Sequence, residues 1–299
     1  LRDASGEVTH YIGVQSDVTE RRTAEESLRA ANRALELAGE RMRRSLDAAA
    51  RIQRALLPTD LPRPEGVRFA FGFRPSDELA GDALNVVWLD DARLGLYVLD
   101  VSGHGVPAAL LSVTLSRFLS PAFDRSCLLT PVPGQPLARA ITPPAEGAGL
   151  LNQQFPMDAA TAQYFTLLYG VLDVRLLHFR FVAAGHPPPV LSHPGSPPGL
   201  VAGGGLPIGV VESATFAETR LDLGPGDRLF FYTDGVTEAR SPEGHEFGVE
   251  TLLARVADTR GLPLQAAVDA ILAAVEAHCG DSGVRDDVSL LATEIAPPA

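Results

Sequence analysis

The sequence contains no lysine; all 25 of its basic residues are arginine. A Schiff-base lysine and a Walker-type phosphate loop both need that side chain and are excluded. Cysteine is nearly absent too. Cys127 and Cys279 form neither a metal-type spacing nor a disulfide framework, and they read as buried thiols of a protein from a reducing cytoplasm. No uninterrupted apolar run approaches the roughly 18 residues of a membrane span. Basic charge is short: 37 acidic residues set the formal net charge of the 299-residue chain at −12, which argues against nucleic acid as a partner. What remains is 45% hydrophobic and 21% charged, a globular composition with ample length for a packed core.

Three regions separate by composition. Residues 1–19 pair a turn, Asp3-Ala4-Ser5-Gly6, with a β-prone run from Val8 to Val14. The chain opens on what reads as the interior of a longer protein. Residues 20–57 have no proline and one glycine, and they are rich in Ala, Leu, Glu and Arg, which predicts one long helix starting near Thr19. A seven-residue register places Leu28, Leu35, Met42, Ala49 and Leu56 on one seam position and Ala31, Ala38, Ser45 and Ile52 on the other. That pattern favours a parallel dimeric coiled coil, with a solvated amphipathic helix as the alternative. Pro58, Pro62 and Pro64 end it.

Residues 65–296 form the main domain. Strand-type runs fall at 67–73, 86–89, 94–101, 165–174, 177–183, 228–233 and 288–295, and helix-type stretches at 107–119, 249–257 and 264–278. Asp173-Val174-Arg175 predicts a hairpin, and the Pro-rich stretch 120–144 predicts a loop. Strands adjacent in sequence, with helices grouped between them, indicate an α+β fold.

Four acidic positions share one setting. Asp82 follows Gly81, Asp100 ends a strand before Val101-Ser102-Gly103-His104-Gly105, Asp234 ends a strand before Gly235, and Asp286 with Asp287 precedes the last strand. Carboxylates at strand ends can converge on one sheet edge, where their oxygens suit Mg²⁺ or Mn²⁺. Two such ions would clamp a phosphoryl group and activate a water. The plainer alternative is that each Asp only shapes a turn or cap. His104, between two glycines, reads first as a turn residue, with a proton donor or a group supporting the metal ligands as alternatives. His186, in Ala184-Gly185-His186-Pro187-Pro188-Pro189, reads as structural, and Ser102 lacks the Gly-x-Ser-x-Gly setting of a nucleophile elbow.

At these residues the chain resembles the SpoIIE/RsbU-type serine/threonine phosphatases of the metal-dependent phosphatase 2C superfamily. The matching blocks run in order: Ala-Gly-Asp at 80–82, Asp-Val-Ser-Gly-His-Gly at 100–105, Tyr-Phe-Thr-Leu-Leu-Tyr-Gly-Val-Leu-Asp at 164–173, Ala-Gly-His-Pro-Pro-Pro at 184–189, Gly-Leu-Pro-Ile-Gly at 205–209, residues 225–239 around Tyr232-Thr233-Asp234-Gly235, and Arg-Asp-Asp-Val-Ser at 285–289. Residues 52–58 resemble the helix that precedes this domain in the family. The resemblance implies a β-sandwich flanked by helices, with an N-terminal linker helix. It implies two Mn²⁺ or Mg²⁺ ions on Asp82, Asp100, the Val101 carbonyl, Asp234 and Asp286, with His104 as candidate acid. The expected reaction is attack of a metal-activated water on phosphoserine or phosphothreonine, and the expected substrate is a phosphorylated STAS-domain anti-sigma-factor antagonist.

Two departures stand out. Asn85 replaces a second aspartate common in the family, and residues 120–160 match poorly apart from Leu151-Asn152. Asn85 keeps open a pseudophosphatase that binds a partner without turnover; a dimeric scaffold and a small-phosphoester hydrolase are further alternatives. Residues 3–21, with Ile12-Gly13-Val14-Gln15-Ser16-Asp17-Val18-Thr19-Glu20, resemble the end of a PAS domain of the flavin-binding LOV type. The flavin-binding core lies outside this stretch, so no flavin is expected here. A sensor would act on the phosphatase through the 20–57 helix.

Overall fold

The computed structural model describes all residues except 3, 9, 10, 12, 56, 59, 158–161 and 297–299, and leaves undescribed the side chains of Pro136 and Leu137. Asp3, Thr9, His10 and Ile12 of the PAS-like stretch and Leu56 of the heptad register therefore lie outside the described residues. The chain divides into two compact units, Leu1–Ala48 and Ala49–Ala299.

In the first unit, Arg2 and Val8 form an isolated bridge around a turn. The expected strand from Val8 to Val14 is absent among the described residues. Tyr11 and Val14 are 90% and 89% exposed, and without a neighbouring strand an extended segment has no ladder to join. Helix α1 (Thr19–Arg54) follows. Asp17 Oδ1 accepts the Thr19 N–H at 2.9 Å at its start, and the i,i+4 pairs Arg21–Glu25 and Arg44–Glu40 lie along it. Leu28, Leu35 and Met42 of the apolar seam are exposed.

The second unit is a sandwich of two antiparallel sheets with helices on both outer faces. Its elements run β1 (Val67–Arg74), β2 (Ala83–Trp88), β3 (Arg93–Val101), α2 (Val106–Phe118), β4 (Leu129–Val132), β5 (Gln135–Ile141), α3 (Pro144–Gln154), β6 (Phe165–Asp173) and β7 (His178–Ala184). Then come β8 (Val190–Ser192), β9 (Gly199–Leu200), β10 (Thr219–Asp222), β11 (Arg228–Tyr232), α4 (Asp234–Thr237), α5 (Gly248–Asp258), α6 (Leu264–Cys279) and β12 (Val288–Ile295). One sheet has the order β1-β12-β11-β8-β9, the other β10-β7-β6-β3-β2.

Alternation along the strands separates three cores. Leu94, Leu96 and Val98 of β3 meet Phe231 and Leu291 between the sheets. Tyr97 and Leu99 face the other way, with Leu115 of α2 and Leu151 of α3. On the far side Val268, Ile271 and Leu272 of α6 cover Leu290 and Ala292 of β12. All eight residues of β12 are buried, because it is an interior strand of its sheet, paired on both edges, and carries a layer on each face.

The stretch expected as a loop holds structure. Residues 129–141 form the hairpin β4–β5, turning at Gly134 with φ 77°, and Pro143-Pro144 opens α3. Prolines at 131 and 136 hide the strand pattern, yet a two-stranded ribbon tolerates them at positions whose N–H faces solvent. Proline in the first helical turn lacks only an N–H that would be unpaired there.

Candidate metal centre

Asp82 stands just before β2, and Asp100 is the penultimate residue of β3. The register Ala83↔Leu99 brings these two carboxylates to the same end of their sheet. Asp234 comes two residues after β11 and Asp286 two before β12, and those strands are neighbours in the other sheet. Hydrogen bonds across the sandwich put both pairs at one edge. Thr233 Oγ1 and Ser289 Oγ donate to Asp82 Oδ2 at 2.9 and 2.6 Å.

Asp287 ties the same edge together. Its Oδ1 accepts Ser76 N–H at 2.8 Å and Ser76 Oγ at 3.1 Å, and its Oδ2 accepts Gly81 N–H at 2.7 Å. With its oxygens committed to the Asp82 loop, Asp287 organises the site, and exposed Asp286 keeps an oxygen free after accepting the Asp287 N–H at 2.8 Å. Two glycines permit the approach. A Cβ at Gly235 would lie 2.0 Å from the Asp287 carbonyl, and one at Gly81 would lie 2.9 Å from the carbonyl of Val101. A further tie comes from the end of α1: Gln53 Nε2 donates to the Ala80 carbonyl at 2.6 Å, and Gln53 Oε1 accepts the Ala80 N–H at 3.0 Å.

The electrostatics are those of crowded negative charge. Burial, then the charges of Asp100 and Asp287, holds the Asp82 carboxyl well above the usual carboxylate range. Burial and the charges of Asp234, Asp286 and Asp287 push Asp100 up to about 7. Burial with Asp286 and Glu238 pushes Asp234 up to about 6, and burial, then Asp287, raises Asp286. Among the described residues no arginine or histidine forms an ion pair with any of the four. Carboxylates that raise one another's pKa and are held in no ion pair are a donor set suited to divalent cations. Among the described residues no three His, Cys, Asp or Glu side chains stand close enough to enclose one ion, so a full coordination shell requires side-chain adjustment.

The remaining sequence candidates separate clearly. His104 is exposed in the turn between β3 and α2, within electrostatic reach of Asp77 and Asp286. Ser102 Oγ accepts the Tyr164 N–H at 2.9 Å and so closes a loop. His186 is buried, and its Nδ1 shares a 2.8 Å hydrogen bond with Thr166 Oγ1, directly across from Asp100 in the β3–β6 register. Asn85 lies opposite Tyr97 in the β2–β3 register, and its Oδ1 accepts the Val86 N–H at 2.8 Å. Sequence reasoning did not single out Gln53, Ser76, Thr233 or Ser289 as parts of the site. Only the folded sandwich brings them to the aspartates, although Thr233 and Ser289 each lie within three residues of one.

Residues 90–296 match the family model described as Stage II sporulation protein E (SpoIIE). The chain belongs to the SpoIIE family. Among curated relatives, the phosphoserine phosphatase RsbP of Bacillus subtilis is 28% identical over 199 residues, 66% of this chain and 46% of that protein. The phosphoserine phosphatase RsbU of the same organism is 24% identical over 200 residues, 67% of this chain and 55% of that protein. The chain thus spans about half the length of the curated relatives it matches. Among solved structures, the SiaA-PP2C domain of Pseudomonas aeruginosa superposes with a TM-score of 0.70 at 24% identity, covering 86% of this chain and 98% of that domain. The fold is therefore that of the PP2C phosphatases, the helix-flanked sandwich the motifs imply.

Proposed function

We propose that this chain is a metal-dependent protein phosphatase acting on phosphoserine or phosphothreonine, the output module of a longer signalling protein. The observation that carries the reading is the set of four carboxylates, two from each sheet, gathered at one edge with no ion pair to any of them among the described residues. Family membership and the phosphoserine phosphatases among its relatives support it.

Asp82, Asp100, Asp234, Asp286 and the Val101 carbonyl would hold Mn²⁺ or Mg²⁺. Bound ions would supply charge neutralisation of the phosphoryl group and a water of lowered pKa. The protein's own part is positional. Thr233 and Ser289 orient Asp82, Asp287 fixes the loop that carries it, and exposed His104 is the candidate donor of a proton to the leaving serine or threonine oxygen. A phosphorylated STAS-domain antagonist is the proposed substrate by family resemblance.

Regulation would enter through α1. Gln53 grips the backbone two residues before Asp82, so a shift of the helix end bears directly on that loop. The exposed Leu28, Leu35 and Met42 fit a parallel homodimer through residues 20–57.

The test is hydrolysis of a phosphoserine peptide with excess Mn²⁺ against EDTA, with the Asp100→Asn, Asp234→Asn double variant alongside. Metal-dependent turnover that the double variant lacks is the expected result. Metal-independent turnover, or equal turnover by the variant, overturns the reading.

A further inference from the structure

We propose that His186 is a positioning residue for the metal centre: it takes up the hydroxyl of Thr166 and so leaves the carboxylate of Asp100 free for a cation. This role rests on the reading of Asp100 as a metal ligand.

Asp100 differs from its acidic neighbours in what it accepts. Asp82 Oδ2 accepts two hydroxyls, and the two oxygens of Asp287 accept three donors. Among the described residues no hydroxyl and no backbone N–H donates to the Asp100 carboxylate, whose one hydrogen-bonding neighbour is the Asp82 carboxyl.

Yet a donor stands beside it. Asp100 and Thr166 are direct partners in the β3–β6 register. Direct partners project from the same face of a sheet, with Cβ atoms about 4.5–5.5 Å apart. That face looks into the sandwich, because Val98 of β3 and Leu168 of β6, each two residues further along, belong to the core between the sheets. Turned toward Asp100, the Thr166 hydroxyl would donate to it, as Thr233 and Ser289 donate to Asp82.

His186 holds that hydroxyl elsewhere. The ring is buried, and its Nδ1 lies 2.8 Å from Thr166 Oγ1. Gly185, at φ 66°, makes the turn that carries the chain from β7 to this position, and three prolines follow. Burial pulls the His186 pKa down to about 3, so the ring is neutral and has one acceptor nitrogen. Nε2 makes no hydrogen bond of normal geometry, and the backbone group that opposes the pKa shift is that of Tyr232, an acceptor. A proton on Nε2 suits that acceptor and leaves Nδ1 to accept from Thr166.

The test is Mn²⁺ binding to the full chain by calorimetry, with thermal melting in EDTA alongside. His186→Leu removes the acceptor and releases the hydroxyl toward Asp100; it is expected to weaken Mn²⁺ binding about tenfold, the effect of one hydrogen bond to a charged group. Thr166→Val keeps shape and removes the hydroxyl; it is expected to bind Mn²⁺ as the parent does while melting lower. His186→Leu with Thr166→Val is expected to recover the affinity of the parent, and His186→Leu with Thr166→Ser, which retains a hydroxyl, is not. A histidine that only supports the fold would give no such rescue. Where His186→Leu does not melt cooperatively, Thr166→Val decides: weakened Mn²⁺ binding makes the hydroxyl a support of Asp100 and overturns the proposal. Mn²⁺ binding by the parent with equal affinity in His186→Leu, or without rescue by Thr166→Val, overturns the proposal alone. Absence of Mn²⁺ binding by the parent overturns the metal centre and the proposal with it.

Discussion

Gln53 and Ala80 are joined by a two-way amide clasp, side chain to backbone, with hydrogen bonds of 2.6 and 3.0 Å. Cutting it should loosen the Asp82 loop by about 1–3 kcal/mol, the range for two net hydrogen bonds. Gln53→Ala is therefore expected to raise the Mn²⁺ concentration needed for half-maximal turnover and to lower the melting temperature by a few degrees. Ala49→Pro, which breaks the helix just before the clasp, should uncouple or abolish activity. Unchanged metal dependence in both variants would separate α1 from the site.

The carboxylate edge trades stability for its chemistry. Asp100, pushed up to about 7, and Asp234, pushed up to about 6, repel each other and Asp286. Neutralising two of them should raise stability in EDTA at pH 8 by about 1–2 kcal/mol. A thermal melt of Asp100→Asn, Asp234→Asn checks this, and a lower melting temperature than the parent would contradict it.

Gly235 admits no side chain, since a Cβ there would meet the Asp287 carbonyl at 2.0 Å. Gly235→Ala should cost about 1–3 kcal/mol through forced separation of α4 from β12. Because Asp234 and Asp286 flank that contact, metal binding should weaken together with stability. Chemical denaturation and Mn²⁺ titration of the same variant test the linkage.

His186 sets an acid limit. Burial pulls its pKa from 6.5 down to about 3, opposed in part by the backbone of Tyr232. The unfolded chain therefore binds a proton that the folded chain refuses. Its contribution is undiminished above pH 6.5 and declines as pH falls from there toward 3, by about 2 kcal/mol between pH 7 and 5. His186→Asn, though less stable at pH 7 for loss of the Thr166 bond, should lack this slope. Parallel slopes in the two proteins would refute the assignment.

The long strands were legible because burial on both faces makes them continuous apolar runs; β12 spans Val288–Ile295, the residues read as the last strand. The four aspartates were legible as acids beside glycine turns, and the structure brings them to one edge. The hairpin β4–β5 was hidden by its prolines, and α3 by a start that looks like a loop. Asp287 was passed over for Asp286 as a ligand on family resemblance, and its own task, holding Ser76 and Gly81, is visible only in three dimensions. Gln53 carried no local signal, because its partner is 27 residues away and is a backbone group.

The position of β12 between β1 and β11 also governs how this domain comes into being. Val67, at the start of the first strand, pairs with Ile295, and β11 waits on the same partner. A growing chain must therefore hold the edges of β1 and β11 unsatisfied until its last strand emerges. Closure of that sheet, and with it the meeting of Asp234 with Asp286, is a late and non-local event. Synthesis halted after residue 232 and before residue 288 leaves both β1 and β11 with unpaired edges ready to join other chains.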